Sequence, residues 1–216
     1  MRFRIDLRIF IFFILFYFTN QIETYILVLV FAFIHEIGHL IAGLCLGMKP
    51  EKIEIRPFGL AISFKLKPKD YNLKVKKANL LEIKKIVVAM AGPLTNVIII
   101  IIAKMLNLNI FTYLMILFSN LVLIIFNLVP IYPLDGGRIL KGILHIFFGK
   151  KKALEYINKI SFTILVIITI ISSIGILYFK NIAIFIGILY LWSIFLVEDK
   201  KYQTKKKIFD IIEKSC

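Results

Sequence analysis

Long apolar runs separated by short polar segments form the main pattern along the chain. A helix of about 20 apolar residues crosses the hydrocarbon core of a bilayer. The pattern therefore predicts an all-α membrane protein, a bundle of about six transmembrane helices at residues 9–18, 25–47, 86–104, 111–129, 160–178 and 182–197. The first run is short and no small-residue cleavage site follows it, so we interpret it as a mismatched spanning helix and not as a cleaved signal peptide.

Alternation of polar and apolar residues occupies residues 51–65, after the second apolar run. Side chains of a strand alternate between two faces, and Pro57 to Gly59 supplies a turn, so this segment predicts a small β-hairpin after the second helix. An open strand edge cannot face lipid, which places the hairpin at the membrane interface or in a cavity. Its edge either holds an extended peptide by strand addition or serves only as a connector.

Composition and charge support a membrane protein. The 216 residues are 60% hydrophobic with a mean hydropathy of +0.88, which excludes an ordinary soluble domain. The net charge is +15, and all Lys and Arg residues except Lys104 and Lys180 fall at residues 2–8, 49–85, 138–159 and 200–214. These segments are alternate loops, which predicts a multi-pass protein of the cell membrane with both termini cytoplasmic. The excess of Lys and Arg residues then favours contact with the anionic lipid bilayer over a nucleic-acid partner.

The charged residues cluster between apolar runs and do not form a separate polar region. This distribution predicts one integral-membrane domain at residues 1–199, followed by a basic cytoplasmic tail at residues 200–216. Cys45 and Cys216 indicate no disulfide framework, and Cys45 is expected to serve in packing because it lies off the face of His39.

The second apolar run carries His35, Glu36 and His39 near its middle. Ionisable groups at membrane depth cost roughly 2.5 kcal/mol or more each, so they indicate a function or a firm partner. The order is H-E-x-x-H, and residues i and i+4 of a helix share one face. Two imidazoles so placed can bind one tetrahedral Zn²⁺, with Glu36 beside the open position to take a proton from water. The alternative is that the histidines are packing donors between helices.

Asp135 is the predicted third ligand of a single zinc ion, so we expect one zinc ion per chain. Pro130 and Pro133 cannot continue a regular helix, so the chain is expected to turn at Asp135 and Gly136 and to resume a helix at residues 137–148. An ordinary Asp-Gly turn is the alternative. His145 is expected to be packed or interfacial.

Small and amide residues mark two further positions. Gly43 and Gly47 form a small-residue face that lets another helix approach closely. Gly92 and Pro93 interrupt the third predicted helix just before Asn96. For this segment a kink with an interhelical hydrogen bond and a role in the site both remain open.

These motifs resemble the site-2 proteases, which are intramembrane zinc metallopeptidases. The resemblance covers about residues 25–145 and rests on H-E-x-x-H, on G-P-x-x-N from residue 92 and on N-x-x-P-x-x-P-L-D-G from residue 127. It implies zinc ligation by His35, His39 and Asp135, activation of water by Glu36, and substrate contacts from Asn96 and Asn127.

The helices, the hairpin and the form of the aspartate motif look most like the sporulation branch, the stage IV sporulation protein FB type. That resemblance implies cleavage of a membrane-associated sigma-factor precursor under the control of membrane-protein inhibitors. Residues 48–85 are too short for the PDZ domain of larger members. The tail is also too short for the CBS domain of many sporulation-type members, which argues against nucleotide control.

Two functions fit these residues. The first is regulated proteolysis of a membrane-associated protein, inside or at the edge of the bilayer. The second is a polytopic metal-ion transporter or channel, because His, Asp and Asn at membrane depth also line ion pathways. The halves of the chain show no internal repeat, and a glutamate beside two metal ligands serves hydrolysis, so proteolysis is favoured.

Overall fold

The computed structural model describes residues 2–5, 10, 13–14, 17–18, 22–56, 59–65, 75–106, 108–179 and 182–215. Its elements are, in chain order, β1 (Arg2–Ile5), α1 (Ile22–Cys45), β2 (Lys49–Arg56), β3 (Gly59–Lys65), α2 (Val75–Met105), α3 (Ile110–Leu128), α4 (Asp135–Phe179) and α5 (Ile182–Ser215). Helices dominate because most apolar runs are far longer than a strand. The chain forms two compact units, Met1–Leu128 and Val129–Cys216.

Four of the described helices are long and apolar enough to cross a membrane, at Ile22–Cys45, Asn79–Met105, Ile110–Leu128 and Asp135–Gly175. Large apolar side chains such as Phe33, Ile98 and Phe118 lie exposed on their surfaces. Helices with such surfaces satisfy their own backbone hydrogen bonds and are stable in lipid. The chain is therefore a mostly helical, multi-pass membrane protein.

The prediction of six spanning helices is not confirmed. Half of the residues of the first predicted helix, at residues 9–18, lie outside the described residues. Helix α5 is 34 residues long, but Glu198, Asp199 and Lys200 follow its apolar part at residues 182–197. That part is shorter than the roughly 20 residues that a span requires.

Helix α2 differs from its prediction at both its start and its middle. It begins at Val75, well before residue 86, because Leu80, Leu81 and Glu82 are strong helix formers that extend it into the basic segment. It also continues without interruption through Pro93. A spanning helix tolerates a proline where neighbouring groups satisfy the freed backbone atoms.

A three-stranded sheet with β2 in the centre belongs to the first unit. Strand β2 pairs with β3 in antiparallel fashion, with Ile53 opposite Ile62, and with β1 in parallel fashion, with Ile53 opposite Phe3. The turn that was predicted between β2 and β3 includes residues 57–58, which lie outside the described residues. Strand β1 was not predicted, since its partner is remote in the sequence.

Helix α1 is the central element of the first unit, because it contacts α2, α3, β2 and β3. Phe31 and Ala32 of α1 are buried together with Leu123 of α3. Partly buried apolar residues pack around this cluster, namely Leu27, Val28, Ile34, Ile99 and Ile116. The helix that carries both histidines is thus held from several sides.

The second unit consists of a loop and the two long helices α4 and α5. Helix α4 bends at Gly149, whose backbone (φ 78°, ψ 170°) is non-helical and favours glycine. Beyond the bend, α4 packs against α5. Asn158 donates a hydrogen bond to Asp199 of α5 at 2.8 Å.

Candidate metal centre

Two buried histidines lie one turn apart on α1. His35 and His39 are each 2% exposed, and their Nε2 atoms are 3.2 Å apart. The rings meet edge to face, with 4.8 Å between their centroids. The structure thus brings together two of the three predicted ligands, as the helical period requires for residues four apart.

The orientation of His39 is determined by α2. Its Nδ1 lies 2.6 Å from the carbonyl oxygen of Val88 and 3.2 Å from the backbone nitrogen of Gly92. A carbonyl oxygen can only accept, so the shorter contact requires a proton on Nδ1, and His39 donates to Val88. A protonated Nδ1 has no free lone pair, so it does not also accept a hydrogen bond from the N–H of Gly92. This tautomer leaves the Nε2 lone pair directed towards His35, as in metal-binding histidines that are held by a second partner.

The spacing of the two Nε2 atoms fits a single tetrahedral metal ion. Zn–N bonds of about 2.0–2.1 Å at a tetrahedral angle place two ligand nitrogens about 3.3 Å apart. The observed distance is 3.2 Å. Imidazole nitrogens are among the preferred ligands of Zn²⁺, so both the chemistry and the geometry of the pair fit this ion.

A glycine of α2 lies directly against the histidines. A Cβ atom at Gly92 would collide with Nε2 of both His35 and His39. Because any side chain would occupy the same space as the imidazoles, the hydrogen atom of glycine is required at this position. Gly92 therefore determines how closely α2 can approach the candidate metal site.

The same contact between helices also needs a glycine on α1. A Cβ atom at Gly38 would collide with Oγ1 of Thr95 and would lie 3.0 Å from the carbonyl oxygen of Ala91. Thr95 is held by a hydrogen bond to that carbonyl at 2.8 Å. Close approach of α1 and α2 thus depends on small residues from both helices.

The predicted helix-packing face at Gly43 and Gly47 is wrong. A Cβ atom at Gly43 would collide with the ring of Phe64 in strand β3, so this glycine accommodates the sheet. Gly47 (φ 73°) follows the end of α1, where its N–H donates to Leu44 and the N–H of Met48 donates to Gly43, both at 2.9 Å. This is a Schellman motif, in which a left-handed glycine terminates a helix.

Asp135, the predicted third ligand, is the first residue of α4 in the second unit. Its side chain is buried, and the positive end of the helix dipole stabilises a carboxylate there. Arg138, one turn later, places Nη1 3.4 Å from Oδ1 of Asp135. The helix starts at Asp135 and not at residue 137, since the aspartate suits the first turn of a helix.

The loop that precedes Asp135 packs back onto α4. A Cβ atom at Gly137 would lie 2.5 Å from backbone atoms of Ile131 and Tyr132. The N–H of Tyr132 donates to Oγ of Ser161 at 3.0 Å, and the peptide bond between Tyr132 and Pro133 is cis. The position of the Asp135 backbone is thus defined by contacts on both sides.

The remaining predicted residues differ in their surroundings. Asn96 is fully buried, and neither polar atom of its amide has a hydrogen-bond partner within the described part of the chain. Asn127 donates to the carbonyl of Leu123 in its own helix at 3.0 Å. Glu36 and His145 are partly buried. An unpaired buried amide costs about 1–3 kcal/mol, so Asn96 is the residue whose placement most needs a functional reason.

Sequence reasoning missed two features of α2. For Gly92 the pattern predicts only a loosened helix, although a small residue at the depth of two histidines is itself a signal of close helix contact. The carbonyl of Val88 left no signal, since a backbone oxygen is present at every residue.

Comparisons with known proteins identify relatives of this chain. The sequence model of Peptidase family M50 matches residues 103–171, which include α3, Asp135 and the first part of α4. Zinc metalloprotease MJ0392 of Methanocaldococcus jannaschii is 32% identical over 136 residues. That match covers 60% of this chain and 36% of the relative, so the chain spans little more than a third of the relative's length.

A solved structure extends the similarity to most of the chain. The site-2 protease from Methanocaldococcus jannaschii is similar with a TM-score of 0.68 and 25% identity, over 92% of this chain and 91% of that chain. The chain is thus similar in part of its sequence to Peptidase family M50 and in most of its fold to a site-2 protease.

Proposed function

We propose that this chain is a zinc metalloendopeptidase of the site-2 type, which hydrolyses a peptide bond in a membrane-associated protein. The observation that carries the proposal is a pair of buried imidazoles, with Nε2 atoms 3.2 Å apart, inside a helix long enough to cross a membrane. The relatives named as a zinc metalloprotease and a site-2 protease support the same reaction class.

The proposed ligands of one zinc ion per chain are His35, His39 and Asp135. The two histidines have the spacing that such an ion needs, and His39 has the required tautomer. Asp135 is a buried carboxylate at a helix N-terminus, and a third protein ligand with one open position is typical of catalytic zinc sites.

The proposed mechanism assigns a separate task to each residue. A Zn²⁺ ion held by these ligands would act as a Lewis acid and would lower the pKa of water to about 7. Glu36 takes a proton from water as the general base and later gives it to the leaving amine. A spanning helix hides its carbonyls in its own hydrogen bonds, so the substrate must unwind locally. Asn96 and Asn127 are proposed to hold the unwound backbone or a developing oxyanion.

We also propose a substrate class and a cellular location for the reaction. The form of the aspartate motif supports a sporulation-type role, with a sigma-factor precursor as substrate and membrane proteins as inhibitors. The distribution of lysine and arginine supports an integral-membrane domain at residues 1–199, a basic tail at residues 200–216 and cytoplasmic termini in the cell membrane.

Metal transport is the second candidate and is not favoured. Buried histidines and a broken segment near Pro130 would also suit an ion pathway. The relatives found by comparison are named as proteases, however, and the family match is to a peptidase family.

The test uses the full chain in proteoliposomes together with single-span test proteins whose spanning segments contain a Gly-Pro pair. Glu36→Gln should abolish cleavage while bound zinc, measured by mass spectrometry, stays near one per chain. Glu155→Gln, which changes an exposed glutamate paired with Lys159, is the matched control and should keep both properties. Undiminished cleavage by Glu36→Gln would exclude the assigned base. Zinc flux without cleavage of any test protein would favour transport.

A further inference from the structure

The second unit contains an open cleft whose lining residues do not include the proposed zinc ligand Asp135. The cleft is small and open to solvent, with a cavity volume of about 30 Å³. Residues of α4 and α5 line it, together with Tyr132 from the loop before Asp135. The cleft has a floor of uncharged residues and a rim of charged residues, and this division indicates the kind of ligand that it suits.

The floor is well packed. Ile157, Ser161 and Phe195 line it, and each is at most 5% exposed. The side chain of Ser161 is engaged, since its Oγ accepts the N–H of Tyr132. The floor is therefore closed and uncharged, and a ligand of this cleft has to bind at its mouth.

The rim carries three lysines and one glutamate, namely Lys141, Lys201, Lys205 and Glu198. Lys201 is paired with Glu198, whereas no carboxylate of the described residues pairs with Lys141 or Lys205. Nζ of Lys141 lies over the ring of Tyr132, 4.2 Å from its centroid. Two positive charges at the mouth of the cleft are thus uncompensated by the surrounding described residues.

The cleft also lies where both helices change from charged to apolar residues. In α4 the charged segment ends at Lys159 and an apolar run follows, whereas in α5 the apolar run ends at Val197 and charged residues follow from Glu198. Such a change in spanning proteins marks the level of the lipid headgroups, where lysines contact anionic lipids.

We propose that the mouth of this cleft binds the phosphate group of an anionic ligand, with the ammonium groups of Lys141 and Lys205 on the phosphate. Ammonium groups bind phosphate as point charges. The headgroup of an anionic phospholipid and a free phosphate compound share this chemistry. Because Tyr132 forms one wall, the bound ligand stabilises the loop that leads to Asp135. This inference does not depend on the proposed proteolysis.

The test compares two double variants of the full chain that each remove two positive charges. Lys141→Gln with Lys205→Gln removes the cleft charges, and Lys150→Gln with Lys206→Gln removes two exposed charges outside the lining residues. Binding is measured in neutral phosphatidylcholine nanodiscs by titration with short-chain phosphatidylglycerol and, separately, with inorganic pyrophosphate. The thermal unfolding midpoint is followed in both titrations.

We expect phosphatidylglycerol to bind the original chain and to raise its unfolding midpoint, and the cleft variant to bind about five- to tenfold more weakly than the control variant. The same lysine dependence with pyrophosphate alone would support the site and identify a free phosphate compound as its ligand. Equal weakening in both variants would overturn the proposal, since it would show general surface charge. Absence of binding by either probe to the original chain would also overturn it.

Discussion

The Nδ1–H of His39 donates to the backbone carbonyl of Val88 across 2.6 Å. The hydrogen bond crosses from α1 to α2, so the proposed metal-binding imidazole is oriented by a neighbouring helix and not by its own. Since Gly92 of α2 also touches both imidazoles, the geometry of the pair depends on how closely the two helices approach. This dependence leads to predictions that a description of the motif alone would not give.

Gly92→Ala should weaken zinc binding at least tenfold and lower stability by about 1–3 kcal/mol, because the new Cβ atom overlaps both imidazoles. Competition with a chromophoric chelator measures the affinity, and thermal unfolding measures the stability. Gly175→Ala is the matched control, since a Cβ atom there would meet nothing within 4 Å. Equal zinc affinity in both variants would show that contact with Gly92 does not shape the site.

Gly38→Ala should destabilise the pair of helices, and Thr95→Ala should restore part of the loss. The added Cβ atom meets Oγ1 of Thr95, which the second substitution removes, but it also meets the carbonyl of Ala91, which remains. A double-mutant cycle of unfolding midpoints measures the coupling, which we expect to be about 0.5–3 kcal/mol. Purely additive effects of the two substitutions would contradict this contact.

Asp135→Asn should lower zinc affinity about 10- to 100-fold, because a neutral amide replaces a charged ligand. Asp199→Asn is the control for loss of a carboxylate in the same unit, and it should leave zinc affinity unchanged. Metal content after dialysis against a chelator separates the two variants. Unchanged metal retention in Asp135→Asn would exclude Asp135 as a ligand.

Asn96→Leu should raise thermal stability while it lowers cleavage. The substitution replaces an amide without described partners by an apolar side chain of similar size, so the unfolding free energy should increase by about 1–3 kcal/mol. If Asn96 binds substrate, kcat/KM should fall at least tenfold in the same variant. Asn127→Leu should bring no comparable gain in stability, since it removes a hydrogen bond to Leu123. Increased stability with full activity would restrict Asn96 to a structural role.

Elements whose signal is local were predicted well. The apolar run at residues 111–129 closely matches α3, and the spacing of His35 and His39 is a property of one helix. The physical reason is that both depend only on residues that are near in sequence. The same local reading fails for α2, where helix-forming residues between Val75 and Lys85 carry the helix beyond the apolar run.

Contacts between distant segments could not be predicted. Strand β1 pairs with β2 about fifty residues later, and nothing in its four residues specifies that partner. The close contact of Gly92 with the histidines depends on how α1 and α2 pack, which no single-segment pattern encodes. The Nδ1 partner of His39 is a backbone atom and is therefore invisible in the sequence.

The requirement for glycine at residue 92 has a practical consequence for protein engineering. Grafting the five-residue histidine motif onto another apolar helix would reproduce the donor atoms but not the neighbour that orients them. A grafted motif also needs a second helix that places a backbone carbonyl beside one imidazole and a glycine against both imidazoles. The smallest portable form of the histidine pair is accordingly a two-helix hairpin.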